Sequence, residues 1–400
     1  MIESGSTAFW RATLALCLGS FMIFANVYVT QPLLPTLMNH FAISELQAGW
    51  SFTITTLALG FSLLIYGPLS DAFGRKNIML ISMAGVVVTT FLLSQTEQYT
   101  TLLVLRGMQG FCLGGLPAIA IAYMGDEFRR NAMLLAVGFY ISGNTLGGIG
   151  GRLIGGFVGE WLDWPSVFLV MTLLSFLLLA LFAFLLPASE HFVAKPPKPK
   201  AMVRQLGCHL ANPLLLVAYL IGGLNFFIFI NQYSFVTFLL ADAPYHLSPS
   251  WLGLLFLTYL TGTIGSALSG RIVQSLSQPR CILLGIVIFM SGTLVTLIPG
   301  LTAIITGFFI NAFGFFFAHS SASSWVSHQA TEGRASASSL YLVFYYVGAS
   351  SGGFYLQPFW QWQGWPGVVL ASLLILSVTL SLSMWLHRRT TKRNLLSCHA

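Results

Sequence analysis

Charge is what this sequence has least of. Asp, Glu, Lys and Arg together make up 7% of its 400 residues, against about 25% in a soluble globular protein. That is too little to cover a water-facing surface. Acid is scarcer than base, 11 residues against 18, and no Asp or Glu falls in the interior of an apolar run. Nor does any set of His, Asp and Glu sit at metal or hydrolase spacing within those runs. General acid–base chemistry needs such groups within hydrogen-bond reach, so the sequence argues against an intramembrane protease or metalloenzyme. The chain is read as a non-enzyme, with no cofactor and no metal. The five cysteines (17, 112, 208, 281 and 398) are scattered and outline no disulfide or zinc framework. A pI near 9.3 could suit nucleic acid, but the bases are dispersed at the ends of apolar runs, so no nucleic-acid partner is expected.

What is abundant is apolar length. Hydrophobic residues reach 56%, with a mean hydropathy of +0.80. Helix-spanning windows fall at about 12–36, 48–69, 78–95, 99–123, 133–158 and 166–187, then at about 212–238, 250–270, 280–298, 301–326, 335–358 and 366–386. Six lie on each side of a polar stretch, His191 to Leu210. Its prolines and like charges read as a poor helix and a solvated connector. The expected domains are therefore residues 1–190, a linker over 191–211, and 212–400. All of the 18 lysines and arginines except Arg106 and Arg152 lie on one side if both termini are cytoplasmic. The loops near Glu45, Glu97, Glu160 and Asp242 carry neither Lys nor Arg, as the positive-inside rule requires of the opposite face. The first window runs on into Gln31-Pro32-Leu33-Leu34-Pro35 without a small-residue cleavage site, so it reads as a retained span.

The halves repeat. Phe139-Tyr140-Ile141-Ser142-Gly143-Asn144-Thr145-Leu146-Gly147-Gly148 aligns with Phe344-Tyr345-Tyr346-Val347-Gly348-Ala349-Ser350-Ser351-Gly352-Gly353, an offset of 205 residues. Between the second and third windows stands Gly67-Pro68-Leu69-Ser70-Asp71-Ala72-Phe73-Gly74-Arg75-Lys76. Pro68 limits helix continuation and Gly74 permits unusual dihedrals. The spacing predicts a helix ending near Leu69, a charged turn, and a new helix from Asn77. By themselves these residues fit either an orientation-setting turn or a functional loop. The decapeptide resembles the loop signature of the major facilitator superfamily, with Gly67, Leu69, Ser70, Asp71, Gly74, Arg75 and Lys76 in place. The resemblance implies an all-α integral membrane protein of twelve transmembrane helices in two six-helix bundles, a parallel duplication with the substrate site near the midplane. In that family this loop meets the start of the eleventh helix, here Arg334-Ala335-Ser336-Ala337-Ser338-Ser339. Gly67, Asp71, Gly74, Arg75 and Lys76 are thus expected to form a conformational latch. The second half has no acid where Asp71 would repeat (270–280), so the latch is expected to be one-sided.

Two bases lie inside spans. Arg106, in Arg106-Gly107-Met108-Gln109-Gly110, resembles the family's fourth-helix signature, and Arg152 lies in the fifth span. Intramembrane arginine costs at least a few kcal/mol, so it faces a cavity or a partner; bonding to carbonyls and amides such as Asn26 and Gln109 is the other reading. The fifth span carries Gly143, Gly147, Gly151, Gly155 and Gly159 at spacing four, beside Gly148, Arg152 and Gly156. Close helix packing accounts for such a face. It also resembles the fifth-helix signature of drug:proton antiporters, with Gly148 where the proline would stand. His319 is the span-interior side chain with an ordinary pKa near neutrality, as a neutral hydrogen-bonding group or as a proton carrier. Further polar candidates for substrate or coupling are Asn26, Gln31, Gln109, Asn144, Asn225, Asn231, Gln232 and Asn311, with Tyr345 adding amphipathic surface. The resemblance to the arabinose-efflux and drug-efflux branch implies a monomeric transporter of the bacterial inner membrane, exporting a small organic solute against inward proton flow. A sugar or organic-acid symporter or uniporter is the alternative. With arginine but no carboxylate in the spans, a neutral or anionic amphiphile is the expected cargo.

Overall fold

Local signals set where the helices start and break. The structure, a computed structural model, describes residues 1–190, 192, 199–273, 275–330 and 334–397. Helix α1 (Thr7–Tyr28) begins where Ser6 accepts the Phe9 amide at 3.1 Å. Pro32, which has no N–H, sits in a 3-10 turn over Gln31–Leu33. The chain then re-enters helix as α2 (Leu34–Phe41), so the first span runs Thr7–Phe41. A capping box of Ser44 and Gln47 opens α3 (Glu45–Phe73). This helix does not stop near Leu69: it passes through Pro68 and ends only at Gly74, whose φ of +100° no other residue adopts easily. Then α4 (Arg75–Leu93) starts at once, ahead of Asn77. Proline removes a single backbone bond, and close to a helix end that loss is tolerated. The signature is helical apart from one glycine.

The fourth span is two helices meeting at Gly114, α5 (Tyr99–Leu113) and α6 (Gly115–Glu127). Next come α7 (Arg130–Trp161) and α8 (Trp164–Leu185), the latter capped by Asp163. The connector expected over 191–211 lies outside the described residues for 191 and 193–198. From Pro199 onward, however, it is a helix, α9 (Pro199–Ala211). The prolines cluster before it, and one at the first helical position costs nothing because that N–H has no partner anyway. The second half contains α10 (Pro213–Ala241), α11 (Pro249–Leu254), a 3-10 turn over Leu255–Thr258, α12 (Tyr259–Ile272), α13 (Gln278–Val295) and α14 (Leu301–Gln329). It ends with α15 (Arg334–Gln363) and α16 (Trp365–Ser397). Among the described residues, 11 segments are long and apolar enough to cross a membrane. The twelfth expected span is α15, 30 residues long and diluted by serine and glycine.

The chain divides into two compact units, Met1–Lys198 with His246–Phe256, and Pro199–Tyr245 with Leu257–Ala400. In the first, the glycine stripe of α7 lies on the backbone of α1. A Cβ at Gly143, Gly147, Gly151 or Gly155 would come within 2.2–2.5 Å of the carbonyls of Cys17, Phe21, Ala25 and Val29. The second unit repeats the arrangement between α15 and α10: a Cβ at Gly348 or Gly352 would come within 2.1 Å of the carbonyls of Gly223 and Phe227. Tight packing of this kind holds helices together where lipid supplies no hydrophobic drive.

Candidate functional site

In the first unit one group of polar side chains inside the spans gathers around Arg106, which is 0% exposed. Its Nε donates to the Ser51 carbonyl at 3.1 Å, Nη1 to the Asn26 carbonyl at 3.1 Å and to Gln109 Oε1, and Nη2 to the Val27 carbonyl at 3.1 Å. The guanidinium therefore ties α1, α3 and α5 by backbone acceptors. Gln109 Nε2 donates to Thr90 Oγ1 at 2.6 Å and to Asn26 Oδ1 at 3.3 Å, and Thr90 Oγ1 lies 3.1 Å from the same Asn26 oxygen. Asn26 Nδ2 reaches Ser175 Oγ on α8 at 2.9 Å. Every bond is buried, where an unmatched polar group is costly.

The second unit has a counterpart. Asn311 Nδ2 donates to Gln232 Oε1 at 2.6 Å and to Thr293 Oγ1 at 3.3 Å, and Gln232 Nε2 to the same hydroxyl at 3.3 Å. Asn26, Thr90 and Gln109 thus answer Gln232, Thr293 and Asn311 at offsets of 206, 203 and 202, close to the internal repeat. The counterpart has no arginine: the position 202 residues after Arg106 is Phe308. Asn231 instead donates to the Ala349 carbonyl at 2.9 Å, joining α10 to α15. Asn225 is 2% exposed and its Oδ1 has no hydrogen-bond partner among the described groups.

Arg152 is held differently. Its Nε donates to Gln31 Oε1 at 2.8 Å and Nη1 to the Gly148 carbonyl at 2.9 Å. Two aromatic rings cover the guanidinium, Tyr28 at 4.0 Å and Phe256 at 4.3 Å from ring centroid, a cation–π arrangement. Asn144, eight residues earlier on the same helix, bonds Ser20. In the second unit, His319 is half-buried and its Nδ1 lies 2.9 Å from the Tyr341 hydroxyl. That hydroxyl also stands 3.5 Å from the His319 carbonyl. Phe315 and Tyr345 flank the imidazole with centroids at 5.8 and 4.7 Å, and Tyr345 stacks in turn on Phe226 at 3.6 Å.

At the signature, Arg75 pairs with Asp71 and, through Nε, with Asp126 at 3.0 Å, while Nη1 donates to Ser70 at 2.9 Å. Lys76 Nζ donates to the carbonyls of Ala183 and Leu186 at 3.2 and 2.5 Å, and Arg11 to that of Phe184 at 3.1 Å. Those two cations cap the end of α8. Gly74 is needed for its backbone angle, whereas a Cβ at Gly67 would meet nothing within 4 Å.

The residue list drawn from sequence omits Thr90, Thr293, Tyr28, Phe256 and Tyr341. The repeat offset, applied to polar residues inside spans, would have found both threonines. Nothing local marks the rings.

The sequence model described as Major Facilitator Superfamily matches residues 16–353. The chain is 35% identical over 387 residues to the uncharacterized MFS-type transporter YybF of Bacillus subtilis, covering 97% of this chain and 96% of that one. It is 33% identical to the inner membrane transport protein YnfM of Escherichia coli, over 97% of this chain and 93% of the other. Among solved structures, a bacterial homologue of the human lysosomal transporter Spinster superposes with a TM-score of 0.78 at 16% identity, covering 97% of this chain and 98% of its own.

Proposed function

Since the chain belongs to the Major Facilitator Superfamily, we propose that it is a proton-coupled secondary transporter exporting a small, neutral or anionic organic solute by alternating access. It would work as a monomer in the bacterial inner membrane, with both termini cytoplasmic. The observation that carries the coupling is the His319–Tyr341 pair. With the imidazole neutral, the tyrosine hydroxyl donates to Nδ1 at 2.9 Å and leaves Nε2–H available to cargo. With the imidazole protonated, Nδ1–H donates to the tyrosine oxygen, and the hydroxyl proton turns to the His319 carbonyl at 3.5 Å. Both charge states keep their hydrogen bonds, which is the property a proton carrier needs. Arg152 and Gln31 supply the cationic and amide groups for cargo. Arg106, Gln109, Asn26, Gln232 and Asn311 hold the framework. Asp71, Arg75 and Asp126 form the latch at the signature, with Gly67, Gly74 and Lys76 around them.

The test is substrate-driven proton movement in proteoliposomes. In His319→Gln, proton movement should fall at least tenfold relative to cargo movement while the protein still folds. Tyr341→Phe should retain coupling with a displaced pH midpoint. Tight coupling retained in His319→Gln removes the histidine from the mechanism. Uptake by inverted vesicles under an imposed pH gradient would establish export; uptake only by right-side-out cells would favour the symporter reading.

A further inference from the structure

Helix α16 has two unlike sides. Leu370, Leu374, Val378 and Met384 are exposed along one, while Leu376, Thr379 and Leu386 are buried on the other. In a chain that spans a membrane, an exposed apolar side is the one that faces lipid. Arg388 stands 18 residues after Leu370, five turns at about 3.6 residues each, so it continues the lipid-facing side. Depth agrees with direction. Trp365 and Trp385 are 20 residues apart, about 30 Å of helix rise, which matches the thickness of the hydrocarbon core. Arg388 and Arg389 lie one turn further on, about 5–6 Å beyond Trp385, at the depth of the lipid headgroups. There a recess of about 460 Å³ is lined by Trp385, His387, Arg388, Arg389 and Thr391. Both arginines are exposed, and the Arg389 guanidinium lies 5.6 Å from the centre of the Trp385 ring. No Asp or Glu follows Glu332 in the sequence, whereas Lys392 and Arg393 come next. Among the described residues, the ion pairs engage Arg75 and Arg129 and neither of these two.

We propose that this recess is a binding site for an anionic phospholipid, with the phosphodiester held by Arg388 and Arg389 and the acyl chains laid along the side that carries Val378 and Met384. Arginine suits the task. Its planar fork donates two parallel hydrogen bonds to a phosphate, and it is more weakly hydrated than an ammonium. Trp385 belongs at the same level, since an indole settles where hydrocarbon meets headgroup. Any basic cluster at the end of a span attracts anionic lipid to some degree. The geometry here adds a recess, two forks at one depth and an apolar side that leads into them. A free phosphate could use only the forks, whereas a lipid uses the forks and the side together, and this favours the lipid.

The test needs no cargo, so it stands or falls apart from the transport reading. Native mass spectrometry of the full chain, released from detergent micelles, measures the first bound phosphatidylglycerol against phosphatidylcholine of the same acyl chains. The parent should bind phosphatidylglycerol at least about fivefold more tightly, and the double variant Arg388→Gln with Arg389→Gln should bring the two lipids within about twofold. Arg271→Gln with Arg280→Gln removes the same charge from two other exposed sites of the second unit and should keep the preference. Arg388→Lys with Arg389→Lys retains the charge without the forks and should lose about twofold to threefold; it also serves if the glutamine pair does not fold. Inorganic phosphate added as a competitor should leave the lipid bound. Equal affinity for the two lipids in the parent, equal losses in the two glutamine pairs, full affinity in the lysine pair, or displacement by inorganic phosphate would overturn the site.

Discussion

The two buried arginines look alike in the sequence and do different work. Arg106 has its donors on carbonyls of α1 and α3 and on Gln109, so removing it strands several buried acceptors at once. Each unmatched buried group costs about 1–3 kcal/mol. Arg106→Ala should therefore lower unfolding stability by about 3 kcal/mol or more, measured as loss of thermal or denaturant resistance in detergent. Arg106→Lys should recover little of this, because one ammonium cannot reproduce a planar fork reaching two helices. A variant as stable as the parent would mean that the carbonyls find other donors. Arg152→Gln should be much milder for folding, since rings and one side-chain amide make up much of its surroundings.

At the scale of the helices, the α7 stripe makes a position-specific prediction. A Cβ at Gly147 or Gly151 would sit 2.4 or 2.2 Å from a carbonyl of α1, while at Gly148 its nearest neighbour would be 3.5 Å away. Gly147→Ala and Gly151→Ala should each cost at least tenfold in transport rate with the protein still inserted, and Gly148→Ala should stay within about twofold of the parent. Equal effects at all three would mean that contact with α1 is not what matters. The loop before α8 adds a pH signature. Hydrogen bonding from Ser166 holds the Asp163 carboxyl below its ordinary value of 3.8. A depressed pKa contributes stability that is complete above the ordinary value and is lost as pH falls through the lower, folded one. At neutral pH, Asp163→Ala should cost about 0.5–1 kcal/mol, the exposed cap being discounted for solvent, and the gap should close in strong acid. Asp163→Asn should cap nearly as well at every pH. A gap independent of pH would rule out the carboxylate as the cause. The spans themselves were legible because lipid demands long apolar helices and leaves the pattern no freedom. Their interruptions were not: Pro68 passes inside α3, and the 3-10 turn at Leu255–Thr258 bears no glycine or proline. Asn26, Gln109, Gln232 and Asn311 stood out as amides in apolar windows. Thr90 and Thr293 did not, since a threonine in a span can satisfy itself on its own helix, as both also do here. The cover of Phe256 on Arg152 joins residues 104 positions apart, and phenylalanine is too common in this chain, 33 residues, to signal a pairing.

Over the whole molecule, the distribution of charge supports the proposed neutral or anionic cargo. Among the described residues the ion pairs are Arg75 with Asp71, Arg75 with Asp126, and Arg129 with Glu3, at helix ends and in the N-terminal segment before α1. Among the described residues the one buried carboxylate is Glu127, at the end of α6, whereas Arg106 and Arg152 are wholly buried in the middle of α5 and well inside α7. On the proposed reading, a permanent organic cation would meet the positive charge of the buried arginines, and among the described residues no carboxylate lies in the middle of a span to balance it. Two like charges about 10 Å apart at an effective dielectric near 20 repel by about 1.7 kcal/mol, which is more than tenfold in an equilibrium constant. Neutral and anionic amphiphiles escape that penalty, and an anion is attracted by the Arg152 charge. In proteoliposome counterflow, neutral or anionic aromatic solutes should therefore outpace tetraphenylphosphonium by at least tenfold. Arg152→Gln should reduce the rate for anions while leaving neutral solutes within about twofold, because only the charged cargo loses an attraction. Rapid movement of tetraphenylphosphonium through the parent protein, or equal losses for anionic and neutral solutes in Arg152→Gln, would show that the buried arginines do not set the choice.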